Sequence, residues 1–183
     1  MLDAVHPWGR KLAAPLATQV VAQLASEPWQ LAGYHALRQA IFVQEQALFA
    51  GSDEDEHDAR ATPIVGLSVI AGMPDDVVGI VRIYQSEPGV WYGGRLGVCS
   101  AYRRRGAVGA ALIAAAVSTA HAWGCQRFLA TVQLDNARYF ERYHFEAVGE
   151  VTVCGRLHAL MQADLGAYPA RAATPPAAPG RAA

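Results

Sequence analysis

Three arginines followed by two nearby glycines form the part of this sequence best suited to chemistry: Arg103, Arg104, Arg105, Gly106, Ala107, Val108 and Gly109. A helix is expected to begin within this arginine–glycine run, and a helix N-terminus carries about half a positive charge and favours acids. The arginines are therefore stabilised only if an anion lies among them. Gly106 and Gly109 leave backbone N–H groups uncovered for a ligand. The run predicts a phosphate site, with a solvated basic turn as the alternative.

Other phosphate-binding motifs do not occur in the sequence. A P-loop requires Gly-Lys-Ser or Gly-Lys-Thr, and a dinucleotide-binding fingerprint requires Gly-x-Gly-x-x-Gly. Because neither pattern is present, the arginine–glycine run is the motif from which a phosphate site must be argued.

Three side chains outside the run are candidates for binding a small ligand and exchanging a proton with it. Arg38 and Glu45 lie seven residues apart in a segment with helical periodicity, which places both on one helical face. They could line an acceptor pocket with Glu45 as general base, or form a mere surface pair. His158 is the other candidate base because imidazole exchanges protons near neutral pH. A purely structural histidine is its alternative.

Five carboxylates and one histidine fill the six positions of residues 53–58. Asp55 and Asp58 in this acidic loop are candidates for binding a cationic substrate group, and a solvated loop is the alternative. A calcium loop fits poorly because the twelve-residue spacing with a central glycine is absent. The three widely spaced cysteines have no histidine at ligand spacing, so no metal site is predicted.

Length and charge restrict the class of protein. A chain of 183 residues fits one domain with an ordinary core. Its formal net charge of -1 gives no general attraction to nucleic acid or to an anionic membrane. No apolar run reaches the roughly 18 residues that span a bilayer, so we expect a cytoplasmic protein. The oligomeric state is left open, a homodimer included.

Composition also predicts the domain boundaries. Residues 1–17 have only weak patterning, and the Pro/Ala-rich residues 169–183 have no periodic apolar pattern. We therefore predict an N-terminal extension over 1–17, one domain over 18–168 and a disordered tail over 169–183.

Hydrophobic periodicity predicts the elements that must position these residues. Strands are expected at 19–24, 64–71, 77–84, 90–99, 128–132, 147–154 and 156–163, and helices at about 28–46, 105–123 and 136–143. The helix at 105–123 is apolar on two sides and should be buried against the sheet. The order β-α-β-β-β-α-β-α-β-β implies an α/β fold with a mixed, mostly antiparallel sheet, open enough to hold a ligand between strands.

The arginine–glycine run resembles the signature of the GNAT superfamily of N-acetyltransferases. That signature is a Gln/Arg-x-x-Gly-x-Gly/Ala turn between the fourth strand and a helix, where backbone amides hold the pyrophosphate of acetyl-CoA. Residues 103–106 match its first half, whereas Val108 stands where a glycine or alanine is usual. The resemblance covers about residues 19–165. Further stretches are similar to the bacterial nitrogen-starvation N-acetyltransferase subgroup: Arg38-x3-Phe42-Val43-x-Glu45-Gln46, residues 53–58, residues 91–96, Val132-Gln133 and His158-x2-Met161-x-Ala163-Asp164-Leu165.

This resemblance implies an acyl-CoA-dependent N-acetyltransferase with acetyl-CoA as co-substrate, a small-molecule amine as acceptor and no metal. It implies that the coenzyme is bound by the arginine–glycine run and by residues of the fourth strand and short helix: Leu96, Gly97, Val98, Asn136 and Phe140. A backbone N–H near residues 96–98 would polarise the thioester carbonyl.

The general acid is the weak point of the resemblance. Phe140 aligns with the position at which the family often has a tyrosine, and phenylalanine cannot donate a proton. Tyr139 is adjacent but points about 100° away around a helix. The thiolate could leave without a dedicated acid, or the chain could be a non-catalytic acyl-CoA-binding regulatory module. Acyl transfer from a carrier protein, as in autoinducer synthesis, is a third possibility that the clear arginine–glycine run argues against.

Overall fold

The computed structural model describes residues 19–47, 49–153 and 155–170, with residue 105 described by its backbone alone. The predicted N-terminal extension (1–17) and all but two residues of the predicted tail (169–183) lie outside these ranges.

Seven strands of the described residues form one sheet in the order β1-β2-β3-β4-β5-β7-β6. Every neighbouring pair is antiparallel except β4 and β5, which are parallel. The α/β fold class and the predicted order of elements are confirmed. The strands are β1 (Gln19–Leu24), β2 (Thr62–Ile70), β3 (Met73–Glu87), β4 (Val90–Val98), β5 (Arg127–Gln133), β6 (Phe145–Val153) and β7 (Arg156–Ala163).

Three α-helices connect these strands: α1 (Pro28–Arg38), α2 (Ala107–Ala122) and α3 (Ala137–Glu141). Short 3-10 segments cover Asp58–Arg60, Ser100–Arg105, Leu134–Asn136 and Leu165–Ala167. The first helix begins where Pro28 occupies its first turn and Glu27 and Gln30 form a capping box.

The first helix differs from its prediction at its C-terminal end. The α-helix ends at Arg38 and continues as a π-helical turn over Gln39–Glu45, in which the Gln46 N–H donates to the Ile41 carbonyl. The wider turn changes the direction of every side chain that follows it, so spacing rules for a regular α-helix fail there.

Helices pack on both faces of the sheet. On one face, Tyr34, Leu37, Ile41 and Phe42 form a core with apolar residues of β2 and β3. On the other face, α2 packs against the same strands and β4, and most of its residues are buried, as its two apolar sides predict. The strands between these two layers are therefore packed on both faces.

A cleft exists in the sheet because β4 and β5 separate. They pair only over four positions, from Val90 with Arg127 to Gly93 with Ala130. Beyond Gly93, β4 pairs with β3 alone within the described residues, and an extra residue enters β4 between the pairs Arg82–Gly94 and Ile80–Gly97. Arg95 has a φ of +56° at this irregularity, as is found at β-bulges. The open edge of β4 therefore faces the space between the diverging strands.

Gly79 of β3 allows α2 to approach the sheet closely. A Cβ at this position would lie 2.6 Å from Val108 Cγ1 and 2.8 Å from Leu112 Cδ1, and both side chains are fully buried. We predict that Gly79→Ala lowers the free energy of unfolding by about 1–3 kcal/mol because it overpacks the core. Gly149→Ala is the matched control, because no atom lies within 4 Å of its Cβ position. Urea denaturation tests both, and equal effects would contradict the close-approach account.

Candidate functional site

A cavity of about 660 Å³ occupies the space between β4 and β5. Arg103, Gly106 and Gly109 line one end of this cleft, where α2 begins, and Asp55 and Arg95 line the other. The cleft therefore joins the arginine–glycine run to the acidic loop in one continuous space.

Ten of the residues singled out from sequence line the cleft: Asp55, Leu96, Gly97, Val98, Arg103, Gly106, Gly109, Asn136, Phe140 and His158. Arg38, Glu45, Asp58, Arg104, Ala107 and Val108 do not contribute to its described lining. Most of the predicted coenzyme residues are thus brought together in the cleft, whereas Arg104, Ala107 and Val108 and part of the predicted acceptor set lie outside its lining.

The arginines of the run precede α2 rather than lying in its first turn. They occupy the 3-10 segment Ser100–Arg105, and Gly106 follows in the left-handed conformation with a φ of +64°. A left-handed residue cannot continue a helix, so α2 begins at Ala107. The Ala110 N–H donates to the Gly106 carbonyl, and no side chain caps α2. The N–H groups of residues 107–109 thus have no helical acceptor and remain available to a ligand.

Val108 does not obstruct these amides. Its side chain is buried, and its Cγ1 lies 3.3 Å and 2.6 Å from the positions that a Cβ would take at Gly66 and Gly79 of the sheet. A branched side chain is therefore accommodated at this position because it points into the core and not into the cleft.

Arg103 forms a bidentate ion pair with Glu45. Its Nη1 donates to Glu45 Oε1 and its Nη2 to Glu45 Oε2 at 2.7 Å, while its Nε donates to the Val98 carbonyl at 2.8 Å. These hydrogen bonds from Arg103 lower the pKa of Glu45. Glu45 is therefore a poor proton acceptor, and its position ties the run to the end of β4.

Arg38 and Glu45 do not form the predicted pair. The π-helical turn redirects Glu45 towards Arg103, and Arg38 is only 2% exposed. Arg38 instead donates from Nε to Asp53 at 2.6 Å and from Nη1 to Asp58 at 2.6 Å.

The acidic loop is not simply solvated. Asp53, Asp55 and Asp58 bind three arginines that sequence spacing does not associate with them, namely Arg38, Arg82 and Arg95. Burial raises the pKa of Asp55, but hydrogen bonds from Arg82 outweigh it, and the pKa is lowered overall. Within the described ranges, no group of three or more histidines, cysteines or carboxylates could hold a metal ion.

Comparison with family models matches residues 18–145 to the Acetyltransferase (GNAT) family. The chain belongs to this family. In keeping with the GNAT fold, a candidate N-acetyltransferase from Lactobacillus plantarum is 25% identical with a TM-score of 0.69, over 80% of this chain and 98% of that one. ElaA from Escherichia coli is 22% identical with a TM-score of 0.64, over 80% and 99%.

A further similar structure is a Bacillus subtilis acetyltransferase in complex with CoA, 13% identical with a TM-score of 0.57 over 80% and 99% of the two chains. Comparison with curated proteins found no match. The family match supports an acyl-CoA-dependent acyltransferase. No helix in the described part of the chain has the length and apolar character of a membrane span.

Tyr139 lies in the cleft although helical geometry places it away from the usual position of the GNAT acid. Its hydroxyl lies 3.5 Å from the Gly106 carbonyl, to which it donates. Burial raises its pKa, so the phenol stays protonated at neutral pH. Phe140 lines the cleft as well and packs edge-on against Phe145 at 5.2 Å between centroids.

Two histidines line the cleft and differ in tautomer. The Nδ1 atom of His158 lies 2.9 Å from the Arg156 carbonyl, and a carbonyl only accepts, so this nitrogen carries the proton and Nε2 has the free lone pair. The Nδ1 atom of His57 lies 2.9 Å from Nη2 of Arg60, which only donates, so the His57 proton is on Nε2. His158 is therefore the cleft histidine whose Nε2 can accept a proton.

Sequence reasoning missed His57, Arg82 and Tyr139 as parts of the cleft wall and did not consider Arg95 as a charged partner of the acidic loop. Arg82 is the one charged residue of the apolar stretch 77–84, and this was a sign that it needed a buried partner.

Position 109 requires a residue without a side chain because the Tyr139 hydroxyl occupies the space beside it. A Cβ at Gly109 would overlap with Tyr139 Oη, whereas the ring carbon Cζ would lie at 3.4 Å, an ordinary contact. We predict that Gly109→Ala lowers the thermal stability, and that Tyr139→Phe restores most of the loss in the double variant. The expected coupling is about 1–3 kcal/mol, the range for an overpacked contact between neighbouring residues.

Thermal or urea unfolding of the two single variants and the double variant measures this coupling. Purely additive effects would show that Gly109 is required for another reason, such as direct approach of a phosphate.

Proposed function

We propose that this GNAT-family protein transfers an acetyl group from acetyl-CoA to the amine of a small molecule in the cleft between β4 and β5. The observation that carries the proposal is the placement, in one cavity, of two sets of backbone groups. Gly106 and Gly109, at the uncapped start of α2, line one end, and the edge of β4 that β5 leaves unpaired runs along one side.

The coenzyme fits this arrangement by its chemistry. The pyrophosphate carries negative charge, which the N-terminus of α2 and the neighbouring Arg104 favour. Among the described residues outside its chain neighbours, Gly106 has no atom within 4 Å of its Cβ position, so this part of the structure leaves that side of the run open. The amide groups of the pantetheine arm can pair with the open edge of β4, as an added strand would. The Bacillus subtilis relative in complex with CoA supports this choice of ligand.

The reaction requires a neutral amine, a polarised thioester carbonyl and a leaving thiolate. The amine nitrogen forms a bond to the acetyl carbon, the carbon–sulfur bond breaks, and the electron pair leaves on sulfur. We assign carbonyl polarisation to a backbone N–H of residues 96–98 and removal of the amine proton to His158 Nε2. Since Phe140 cannot donate a proton, the thiolate leaves without a dedicated acid.

Glu45 has a different role from the one expected of it. Its carboxylate is paired with Arg103 and does not line the cleft, so we assign it to positioning the arginine–glycine run. Membership of the nitrogen-starvation subgroup, the cytoplasmic location and a homodimeric state stay predictions from sequence.

The experiment is release of CoA thiol from acetyl-CoA in the presence of a panel of amines, combined with calorimetric measurement of CoA binding. We expect wild type to bind CoA and to turn over at least one acceptor. His158→Gln should lower kcat by about 100-fold or more, the usual contribution of a general base, with CoA affinity unchanged.

Glu45→Gln is the contrasting variant. It should weaken CoA binding because Arg103 loses its charged partner, while kcat at saturating coenzyme changes little. Binding of CoA without turnover of any amine would favour a non-catalytic module, and absence of CoA binding would remove the proposal altogether.

A further inference from the structure

The two carboxylates predicted to bind a cationic acceptor, Asp55 and Asp58, have no remaining capacity to bind a cation. Asp55 accepts four hydrogen bonds, two from Arg82, one from Arg95 and one from the His57 N–H. Asp58 also accepts four, two from Arg38, one from Arg82 and one from the Asp55 N–H. A carboxylate has about four acceptor sites, so both groups are satisfied by the protein itself.

The arginines of the cluster are not equally satisfied. Arg38 donates five hydrogen bonds, to Asp53, Tyr34 and Asp58. A guanidinium has five N–H groups, so each can be paired. Arg38 does not line the cleft. Its hydrogen bonds are complete without a ligand.

Arg82 and Arg95 both line the cleft, and both have N–H groups left over. Arg82 donates through Nη1 and Nη2 only, and its Nε is buried without a partner among the described residues. Arg95 donates through Nε and Nη2 to Asp53 and Asp55, and none of its recorded hydrogen bonds uses Nη1. A buried donor without a partner is destabilising, and a hydrogen bond to a ligand oxygen would remove that cost.

Gly94, which also lines the cleft, places no side chain beside these donors. It pairs with Arg82 across β3 and β4, and a Cβ there would lie 3.6 Å from Arg82 Nε. Burial and the nearby Arg82 lower the pKa of Arg95, so a further negative charge at this position is favourable. The groups of the cluster that remain available to a ligand are therefore positively charged hydrogen-bond donors.

We propose that the acceptor carries a carboxylate as well as its amine, and that Arg82 and Arg95 bind this carboxylate beside Gly94. The inference rests on the proposed acyl transfer and names its substrate class, an amino acid or similar amino-carboxylate. It reverses the expectation that the acidic loop receives a purely cationic amine, because Asp55 and Asp58 are already neutralised by arginines.

The test compares matched acceptors in the thiol-release assay: an amino acid, the amine left when its carboxylate is removed, and its methyl ester. The amine is more basic than the amino acid and the ester less basic, so a preference for the acid over both does not come from amine basicity. We expect kcat/KM for the amino acid to exceed both by about 10-fold or more, the value of a hydrogen bond to a charged group.

Two variants locate the preference. Gly94→Ala should fold normally, because its Cβ meets only an ordinary contact at 3.6 Å, and should reduce the preference at least about threefold by covering Arg82 Nε. Arg95→Lys keeps the charge, removes Nη1 and should reduce it as well. CoA affinity, measured separately, should be unchanged in both, and Gly149→Ala should alter neither quantity.

The outcomes separate the two claims. Turnover of the decarboxylated amine or the ester as efficiently as of the amino acid would overturn this inference and leave the acyl transfer intact. An amino-acid preference that both variants retain would overturn the assignment to Arg82 and Arg95. Failure of wild type to bind CoA or to turn over any acceptor would remove both claims.

Discussion

The separation of β4 from β5 is the constraint on which the rest of the site depends. Parallel pairing ends after Gly93 and Ala130, and the extra residue in β4 at Arg95 bends the strand away. Backbone groups that a continuous sheet would satisfy internally then need another partner, because an unpaired polar group away from water is costly. A ligand with amide groups along its length can supply that partner.

Two ion-pair systems hold the cleft in shape from opposite ends. At the α2 end, Arg103 joins Glu45 to the Val98 carbonyl and so fixes the run relative to β4. At the other end, three arginines and three aspartates form ion pairs with one another, some of them in the cleft lining and some beneath it. Buried ion pairs contribute little net stability but fix geometry when every partner is in place. The incomplete pairing of Arg82 and Arg95 is therefore informative about a ligand.

The sequence predicted the order of elements, and most of the residues that it proposed for the coenzyme line one cleft, because both depend on local patterns. Strand alternation, the apolar α2 and the glycine at position 106 are each readable within a few residues. The ion pairs at the two ends of the cleft were not predicted because they are long-range: Glu45 pairs with a residue 58 positions away, and Asp53 pairs with Arg95 across 42 positions. The π-helical turn at Gln39–Glu45 left no distinct pattern in the sequence, and it invalidated the helical spacing that linked Arg38 to Glu45.

The central claim is that acyl-CoA binds between β4 and β5 with its pyrophosphate at the start of α2. Titration of ¹⁵N-labelled protein with CoA, followed by amide chemical shifts, tests it residue by residue. The account predicts that the largest changes occur at the amides of residues 107–109 and along residues 96–98. Changes centred elsewhere, for example on the outer face of α1, with these amides unaffected, would contradict it.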